Sequence, residues 1–270
     1  MIPLVRFQVR VLLRGTAALV AIVAFAVIAG IVALVGLGSF RQVGLGSVGP
    51  AAASFVNIAL LLPTAEAIVL AAMAVTTDRD GGFQAMLRAR GVAVPAIVVA
   101  TWAATTAATW ISLLAGFGVV ALILAGNVPA QDLATFTALL LVMLATSAAA
   151  AAIGVAIGAL ARSRLQAALG GIATWFALAL GFDLAIVGLG VLLRLGEVAV
   201  VGAILADPFT SGRVAALLIL DSQGGVLGPV GAYLLDAVGR TGAIAMLLVV
   251  VGAWTLVPIA LASTVIADRS

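Results

Sequence analysis

The segment TTDRDGGFQAMLRARGVAVP, residues 76–95, is a polar interruption in an otherwise apolar chain. It holds two acids and three arginines, whereas the long stretches on either side of it carry almost no charge. A bilayer core about 30 Å thick is crossed by about 20 apolar helical residues. The pattern therefore predicts two transmembrane helices joined by a short polar segment, and we refer to residues 76–95 below as the polar segment.

The composition of the whole chain agrees with a membrane protein. Hydrophobic residues make up 65% of the 270 residues and charged residues only 9%, whereas a soluble domain carries about 25% charge. Because lipid cannot hydrogen-bond to the backbone, a spanning chain must satisfy its peptide groups internally, as helices do. We therefore expect an all-α integral membrane protein.

Three residue types are missing from the sequence, which has no Lys, no His and no Cys. Without Cys and His there is no disulfide, no thiolate chemistry and no common transition-metal ligand. Without Lys there is no phosphate-binding loop of the G-x-x-x-x-G-K-[ST] type. We therefore expect no catalytic residues, no metal, no cofactor held by this chain and no ATP hydrolysis by it. The chain has no basic patch with interleaved aromatics, so nothing in its sequence suggests binding to nucleic acid.

Six segments are long and apolar enough to cross a bilayer: 16–37, 51–75, 96–125, 134–160, 168–193 and 241–266. The apolar run 198–206 is too short to cross and is expected to be an interfacial or re-entrant piece. It belongs to a long stretch, 194–240, that contains Gly224-Gly225, Gly228-Pro229 and scattered charges, and we expect this stretch to form a small external cap.

The N-terminal segment 2–14 is expected to be an amphipathic helix on the membrane surface. Arg6, Arg10 and Arg14 recur at four-residue spacing, which places them on one side of a helix, near anionic headgroups. A signal peptide is the alternative, but the following apolar run is too long and lacks a clear small-residue cleavage site.

The distribution of arginine predicts the orientation, since cytoplasmic segments are enriched in basic residues. With the N-terminus inside, nine arginines fall on the cytoplasmic side: Arg6, Arg10, Arg14, Arg79, Arg88, Arg90, Arg162, Arg164 and Arg269. Four fall outside: Arg41, Arg194, Arg213 and Arg240. We therefore expect a multi-pass protein of the cell (inner) membrane with both termini in the cytoplasm.

Within the predicted spans, span four and two acidic residues stand out. Span four carries a run of alanines at 148–152 followed by Gly154 and Gly158, which favours close helix packing, although a compositional bias toward alanine would look the same. Glu66 and Asp183 lie near the middle of spans two and five. A central acid costs about 2.5–3.5 kcal/mol to insert, so each needs a hydrogen-bonding partner or a polar pathway.

The polar segment has the signals of a short helix. Asp80 is placed to cap a helix starting at Gly81-Gly82, and Gly91 is a natural helix stop. Phe83, Met86 and Leu87 recur at i, i+3 and i+4, so they share one face. This pattern is typical of a docking element, and the alternative is an ordinary loop whose Phe83 dips into lipid.

Residues 78–87, DRDGGFQAML, resemble the E-R-E-x-G-T-L-x-x-L-L motif that follows the second span in type-2 ABC exporter permeases. The resemblance implies six spans, an amphipathic N-terminal helix, a homodimer and a coupling helix that fits a separate ATP-binding subunit. The Arg162-Ser163-Arg164 turn resembles the family's second cytoplasmic contact. The implied contact residues are Asp78, Arg79, Asp80, Gly81, Gly82, Phe83, Met86, Leu87, Arg88, Arg162 and Arg164.

Further stretches are similar to the permease of the nitrous-oxide-reductase maturation transporter. They are residues 44–53, the glycine pair of the polar segment, residues 175–185, and Asp207-Pro208-Phe209 followed by Arg213 in the predicted cap. The similarity implies an external partner protein involved in copper-site assembly, with ATP and magnesium bound in the partner ATPase. The chain departs from the family pattern at Phe83, where Thr is usual, and at Gly91, where Pro is usual.

Other classes of function fit the same sequence. A stand-alone channel or secondary transporter, an ABC exporter permease for a drug, lipid or glycan, and a structural membrane anchor each have long apolar helices. A secondary transporter is disfavoured because the chain lacks the several acids and histidines of a proton relay.

Overall fold

The computed structural model describes residues 2–43, 50–124, 132–193, 196–221 and 225–268, and all regular structure in them is helical. The α-helices are α1 (Ile2–Leu13), α2 (Thr16–Val43), α3 (Pro50–Asp80), α4 (Phe83–Ala89), α5 (Val94–Leu124), α6 (Asp132–Leu160), α7 (Arg164–Phe176), α8 (Phe182–Leu193), α9 (Glu197–Ala206), α10 (Pro208–Leu220) and α11 (Gly228–Asp268). A π-helical turn (Ala177–Gly181) joins α7 to α8, and a short 3-10 turn (Gly225–Leu227) precedes α11.

The prediction of an all-α membrane protein is confirmed. Five helical segments among the described residues are long and apolar enough to cross a bilayer: Val56–Asp80, Val94–Ile123, Ala134–Leu160, Arg164–Ile186 and Gly225–Asp268. Counting the bent pair α9–α10 as one span gives six. The predicted first span, 16–37, lies within α2 (Thr16–Val43), in which Leu19–Ile31 is a described apolar stretch. The particular set of six spans given above stays a prediction.

The closest packing in the bundle is between α3 and α6. The alanines 149–152 of α6 are fully buried, and Gly154 and Gly158 face α3 directly. A methyl group added at Gly154 would lie 2.9 Å from the Ala71 Cβ, and one added at Gly158 would lie 2.8 Å from the Val75 Cβ. The small residues noted in span four therefore allow two backbones within one chain to approach closely.

The fifth predicted span is a single path made of α7, the π-helical turn and α8. It begins four residues earlier than predicted, because the Ser163 hydroxyl accepts a hydrogen bond of 3.2 Å from the Gln166 backbone N–H and caps α7. The π-helical turn in its middle is a one-turn irregularity of the kind that is frequent at functional sites.

Helices α9 and α10 lie in the stretch predicted as an external cap, and they are bent by 113° relative to each other. The carboxylate of Asp207 accepts a hydrogen bond of 2.7 Å from the Thr210 backbone N–H, and Pro208 occupies the first turn of α10. An acidic N-cap followed by proline is a strong helix start. Nearly all of α10 is buried, against α3, α6 and α11.

Helix α11 contains a kink at Gly239, whose φ of 69° is not helical. The predicted last span, 241–266, begins just after this kink. Several sequence features fall outside the described residues and have no structural account: residues 44–49 of one stretch similar to the maturation permease, residues 126–131 of the predicted outer loop 126–133, Arg194 and Arg269.

Candidate functional site: the polar segment and the helix ends around it

The polar segment divides into the last turn of α3, a glycine turn and α4. Helix α3 continues to Asp80, and the backbone N–H groups of Gly81 and Gly82 still bond back to Thr77 and Arg79, at 2.9 and 3.0 Å. Gly82 has a φ of 72°, which is the left-handed conformation that favours glycine. The chain therefore turns sharply between the two helices.

The expectation that Asp80 caps α4 is wrong. The N-cap position of α4 is Gly82, and no side chain makes a capping hydrogen bond there. Because α3 extends through Asp80, this residue lies two positions before the N-cap of α4 and belongs to the preceding helix. It instead pairs with the Nε atoms of Arg79, at 3.3 Å, and Arg164, at 3.7 Å.

The expectation that Gly91 stops the short helix is confirmed. Gly91 has a φ of 80°, and its N–H bonds to the carbonyl of Arg88 at 2.8 Å, while the N–H of Val92 bonds to the carbonyl of Leu87 at 3.1 Å. These two bonds form a Schellman ending, which uses carbonyls that the helix itself leaves unpaired.

The three apolar residues of α4 differ in their surroundings. Leu87 is buried, and Phe83 packs against Phe7 of α1 with ring centroids 5.8 Å apart. Met86 is 42% exposed. Gln84, also buried, donates to the Val75 carbonyl at 3.0 Å. Of the three residues of the predicted apolar face, Met86 is thus the one whose side chain is exposed.

Two arginines of the polar segment lie against the C-terminal ends of other helices. The Nη1 of Arg79 donates to the carbonyl of Ala161, just beyond α6, at 2.6 Å. The Nη2 of Arg88 donates to the carbonyl of Ile266, in the last turn of α11, at 3.3 Å. Terminal carbonyls carry partial negative charge and lack intrahelical donors. These arginines therefore hold the polar segment to α6 and α11.

The turn between α6 and α7 meets the polar segment through the Arg164–Asp80 pair. Arg162 is exposed, and its backbone N–H donates to the Gln166 Oε1 at 2.8 Å. An exposed ion pair contributes at most about 1 kcal/mol to the free energy of unfolding. The pair therefore matters more for the relative position of the two segments than for the stability of the fold. The two segments predicted as separate contacts thus form one surface.

Helix α1 joins the same surface through Gln8, a residue that the sequence reasoning missed. Gln8 is buried, and its Nε2 lies 2.9 Å from the Asp78 carboxylate and 3.2 Å from the Thr101 hydroxyl. The sequence did carry a signal for this contact, because Gln8 is a polar residue on the side of α1 opposite the arginines. Those arginines, Arg6, Arg10 and Arg14, are all exposed.

Deeper in the bundle, Asp183 forms an ion pair with Arg213 of α10. Both guanidinium Nη atoms donate to the carboxylate, and the Thr210 hydroxyl donates to it at 3.1 Å. The predicted spans contain no basic residue that could pair with Asp183, and its partner comes instead from the stretch predicted as an external cap. The reason is that α10 folds back into the bundle and brings Arg213 to span five.

Glu66 accepts a hydrogen bond of 2.9 Å from the Ser112 hydroxyl of α5. This is the type of structural partner anticipated for it from the sequence.

A pocket of about 220 Å³ opens beside the Asp183–Arg213 pair. Its polar lining comes from Asn57, Thr64, Asp183, Thr210 and Arg213. No group of three or more His, Cys, Asp or Glu side chains suited to a metal ion occurs in the described part of the chain.

No family model matches the sequence, and no curated protein matches it either. The resemblance to type-2 ABC exporter permeases therefore stays a prediction that rests on the residues quoted above.

Proposed function

We propose that the chain is the membrane-spanning subunit of an ATP-binding-cassette transporter, in which a separate cytosolic subunit hydrolyses ATP. In this proposal two copies of the chain pair with two ATP-binding subunits, and the polar segment is the coupling element on the cytoplasmic side. The motif at residues 78–87 supports the family, and the absence of lysine supports the need for a partner that binds ATP.

One observation carries the proposal: the polar segment is joined to the ends of three other helices and to the middle of α1. It contacts α1 through Gln8, α6 through Arg79, α7 through Arg164 and α11 through Arg88. Force applied to α4 would therefore reach several spans at once. Coupling between distant sites requires packed elements of this kind that move as units.

The same proposal assigns Met86 to the interface with the ATP-binding subunit, because it is the outward-facing apolar residue of α4. Leu87 and Phe83 are engaged within the chain, so substitutions there would also disturb folding. Met86→Asp places a charge at the contact while leaving the internal packing of α4 intact, and a buried unpaired charge at an interface is costly.

The experiment is affinity purification of the tagged chain in mild detergent, with ATPase activity measured in the recovered complex. Wild type is expected to recover an ATP-binding protein, and Met86→Asp to lose it or its activity. Val238→Asp is the matched control, because Val238 is 48% exposed and lies near the opposite end of α11 from Ile266. Equal recovery and equal activity in all three would refute the assignment.

The similarity to the nitrous-oxide-reductase maturation permease supports a more specific proposal, in which the complex acts on an external partner during copper-site assembly. The chain itself then need not bind copper. Membranes that carry the wild-type complex should support copper insertion into the partner enzyme. Membranes that carry Met86→Asp should leave that enzyme without copper. A drug, lipid or glycan as cargo would instead show as ATP-dependent movement of that compound across the membrane.

A second candidate, a stand-alone transporter, is favoured by the polar pocket beside Asp183 and Arg213. It predicts that the purified chain alone moves a solute into liposomes. Uptake that requires no ATP-binding subunit and is lost in Arg213→Leu would support this candidate against the leading proposal.

A further inference from the structure

A second pocket, of about 140 Å³, lies between the polar segment and the ends of α6 and α11. Arg79, Gln84, Ala85 and Arg88 are among its lining residues, and none of the residues that line it is acidic. Water occupies about 30 Å³ in the liquid, so the pocket has room for a phosphate group. Two arginine side chains thus line one small cavity, and the acid that pairs with Arg79, Asp80, is not in its wall.

Each of these guanidinium groups has a donor atom that is buried and unused. The Nη2 of Arg79 and the Nε of Arg88 have no hydrogen-bond partner among the described residues. The other donors of the same groups bond to Ala161, Asp80 and Ile266. A buried charged donor without a partner is unfavourable, and such atoms in a native structure need an explanation. An anion in the pocket would lie beside both guanidinium groups.

We propose that this pocket binds a phosphate oxyanion, and that its source is the headgroup of an anionic phospholipid. Guanidinium and phosphate match in charge and in geometry. Arg79 lies at the end of the span Val56–Asp80, and Ile266 lies near the end of the last span. Lipid phosphates lie at this depth, and basic pockets between transmembrane helices are sites for lipid headgroups. The inference does not depend on an ATP-binding subunit.

The site would place a lipid at the point where the polar segment meets α6 and α11. Arg79 is already paired with Asp80, so the single negative charge of the bound phosphate would chiefly compensate Arg88, and the phosphate would hold both arginines against the helix ends that they contact. The lipid therefore acts as a structural ligand of the polar segment.

The test uses the full-length chain, purified and stripped of lipid in detergent. Three probes are compared: phosphatidylglycerol, diacylglycerol with the same acyl chains, and inorganic phosphate. Bound lipid is counted by native mass spectrometry, and the melting temperature is followed in parallel. Wild type is expected to bind phosphatidylglycerol saturably and diacylglycerol at least about tenfold more weakly, as expected for the loss of a charge-assisted hydrogen bond.

Arg88→Gln is expected to bind phosphatidylglycerol at least about tenfold more weakly than wild type. Arg90→Gln is the matched control, because Arg90 belongs to the same segment, is exposed and does not line the pocket. Equal binding by wild type and Arg88→Gln, or equal retention of the two lipids, would overturn the proposal.

Ala85→Glu is a second variant that separates loss of lipid binding from misfolding, because it is expected to raise the melting temperature. Ala85 lines the same pocket, so a carboxylate there would pair with the two arginines from within the chain. The variant is expected to melt at a higher temperature without lipid and to lose phosphatidylglycerol binding. Wild-type lipid binding by Ala85→Glu would contradict the site. Protection by inorganic phosphate without retention of phosphatidylglycerol would overturn the lipid source and assign the site to free phosphate.

Discussion

Replacing Gly158 by alanine tests whether the contact between α3 and α6 is as close as the structure has it. The added Cβ would lie 2.5 Å from the Ala72 carbonyl oxygen and 2.8 Å from the Val75 Cβ. Carbon atoms in contact prefer about 3.5–4.0 Å, so the helices must separate by about 1 Å. The obstacle on the α3 side includes backbone, which cannot rotate away.

Two opposing effects determine the sign of the change. Alanine is favoured over glycine within a helix by about 1 kcal/mol, whereas overpacking a tight interface costs about 1–3 kcal/mol. A clash with backbone belongs in the upper part of the overpacking range, so we expect a net loss of about 1–2 kcal/mol. The loss should also weaken the connection between the polar segment and α6.

The assay is reversible unfolding of the purified chain in mixed micelles, followed by helical circular dichroism. Gly118→Ala is the matched control, since Gly118 is a helical residue of α5 with nothing within 4 Å of an added Cβ. It should be neutral or stabilising by up to about 1 kcal/mol. If Gly158→Ala were as stable as Gly118→Ala, the close packing of α3 on α6 would be refuted.

Three further contacts, one in the bundle and two around the polar segment, can be tested by substitution. Arg213→Asp should destabilise by about 3 kcal/mol, because the side chains of Asp183 and Arg213 are only 26% and 28% exposed and a broken buried pair leaves an uncompensated charge. The double reversal with Asp183→Arg should recover a large part of this in a double-mutant cycle, and no recovery would contradict the pair. Gly91→Ala should lower stability by about 1 kcal/mol through its positive φ, measured as the melting temperature; an unchanged value would exclude this strain. Gln8→Leu should release α1, because it removes the partner of the Asp78 carboxylate, and increased proteolysis of the N-terminal helix would show it; wild-type resistance would argue against the link.

Most of the helical architecture could be predicted from the sequence, because long apolar runs must be helical in lipid. The N-terminal helix, the short helix after the glycine pair and the stop at Gly91 follow from local spacing and turn chemistry, and each occurs where expected. Local signals of this kind are fully contained in a few consecutive residues.

The contacts between segments distant in the chain could not be predicted in the same way. The Asp183–Arg213 pair depends on α10 returning into the bundle, and the partners are far apart in the chain. The start of α10 had a readable signal in Asp207-Pro208, an acidic N-cap followed by proline, but nothing local indicates where the helix packs. Asp80 was misassigned for a related reason, since hydrogen bonding by α3 continued further than the apolar run.

The central claim is that the polar segment is the docking point for an ATP-binding subunit, and site-specific cross-linking from position 86 tests it most directly. The chain has no cysteine, so Met86→Cys provides a single attachment point for a short cross-linker, with Val238→Cys as the control. The account predicts a cross-link from position 86 to an ATP-binding protein in native membranes and none from position 238. The account would be contradicted if no partner were cross-linked from position 86. It would also be contradicted if an impermeant reagent added to the outer face labelled that cysteine.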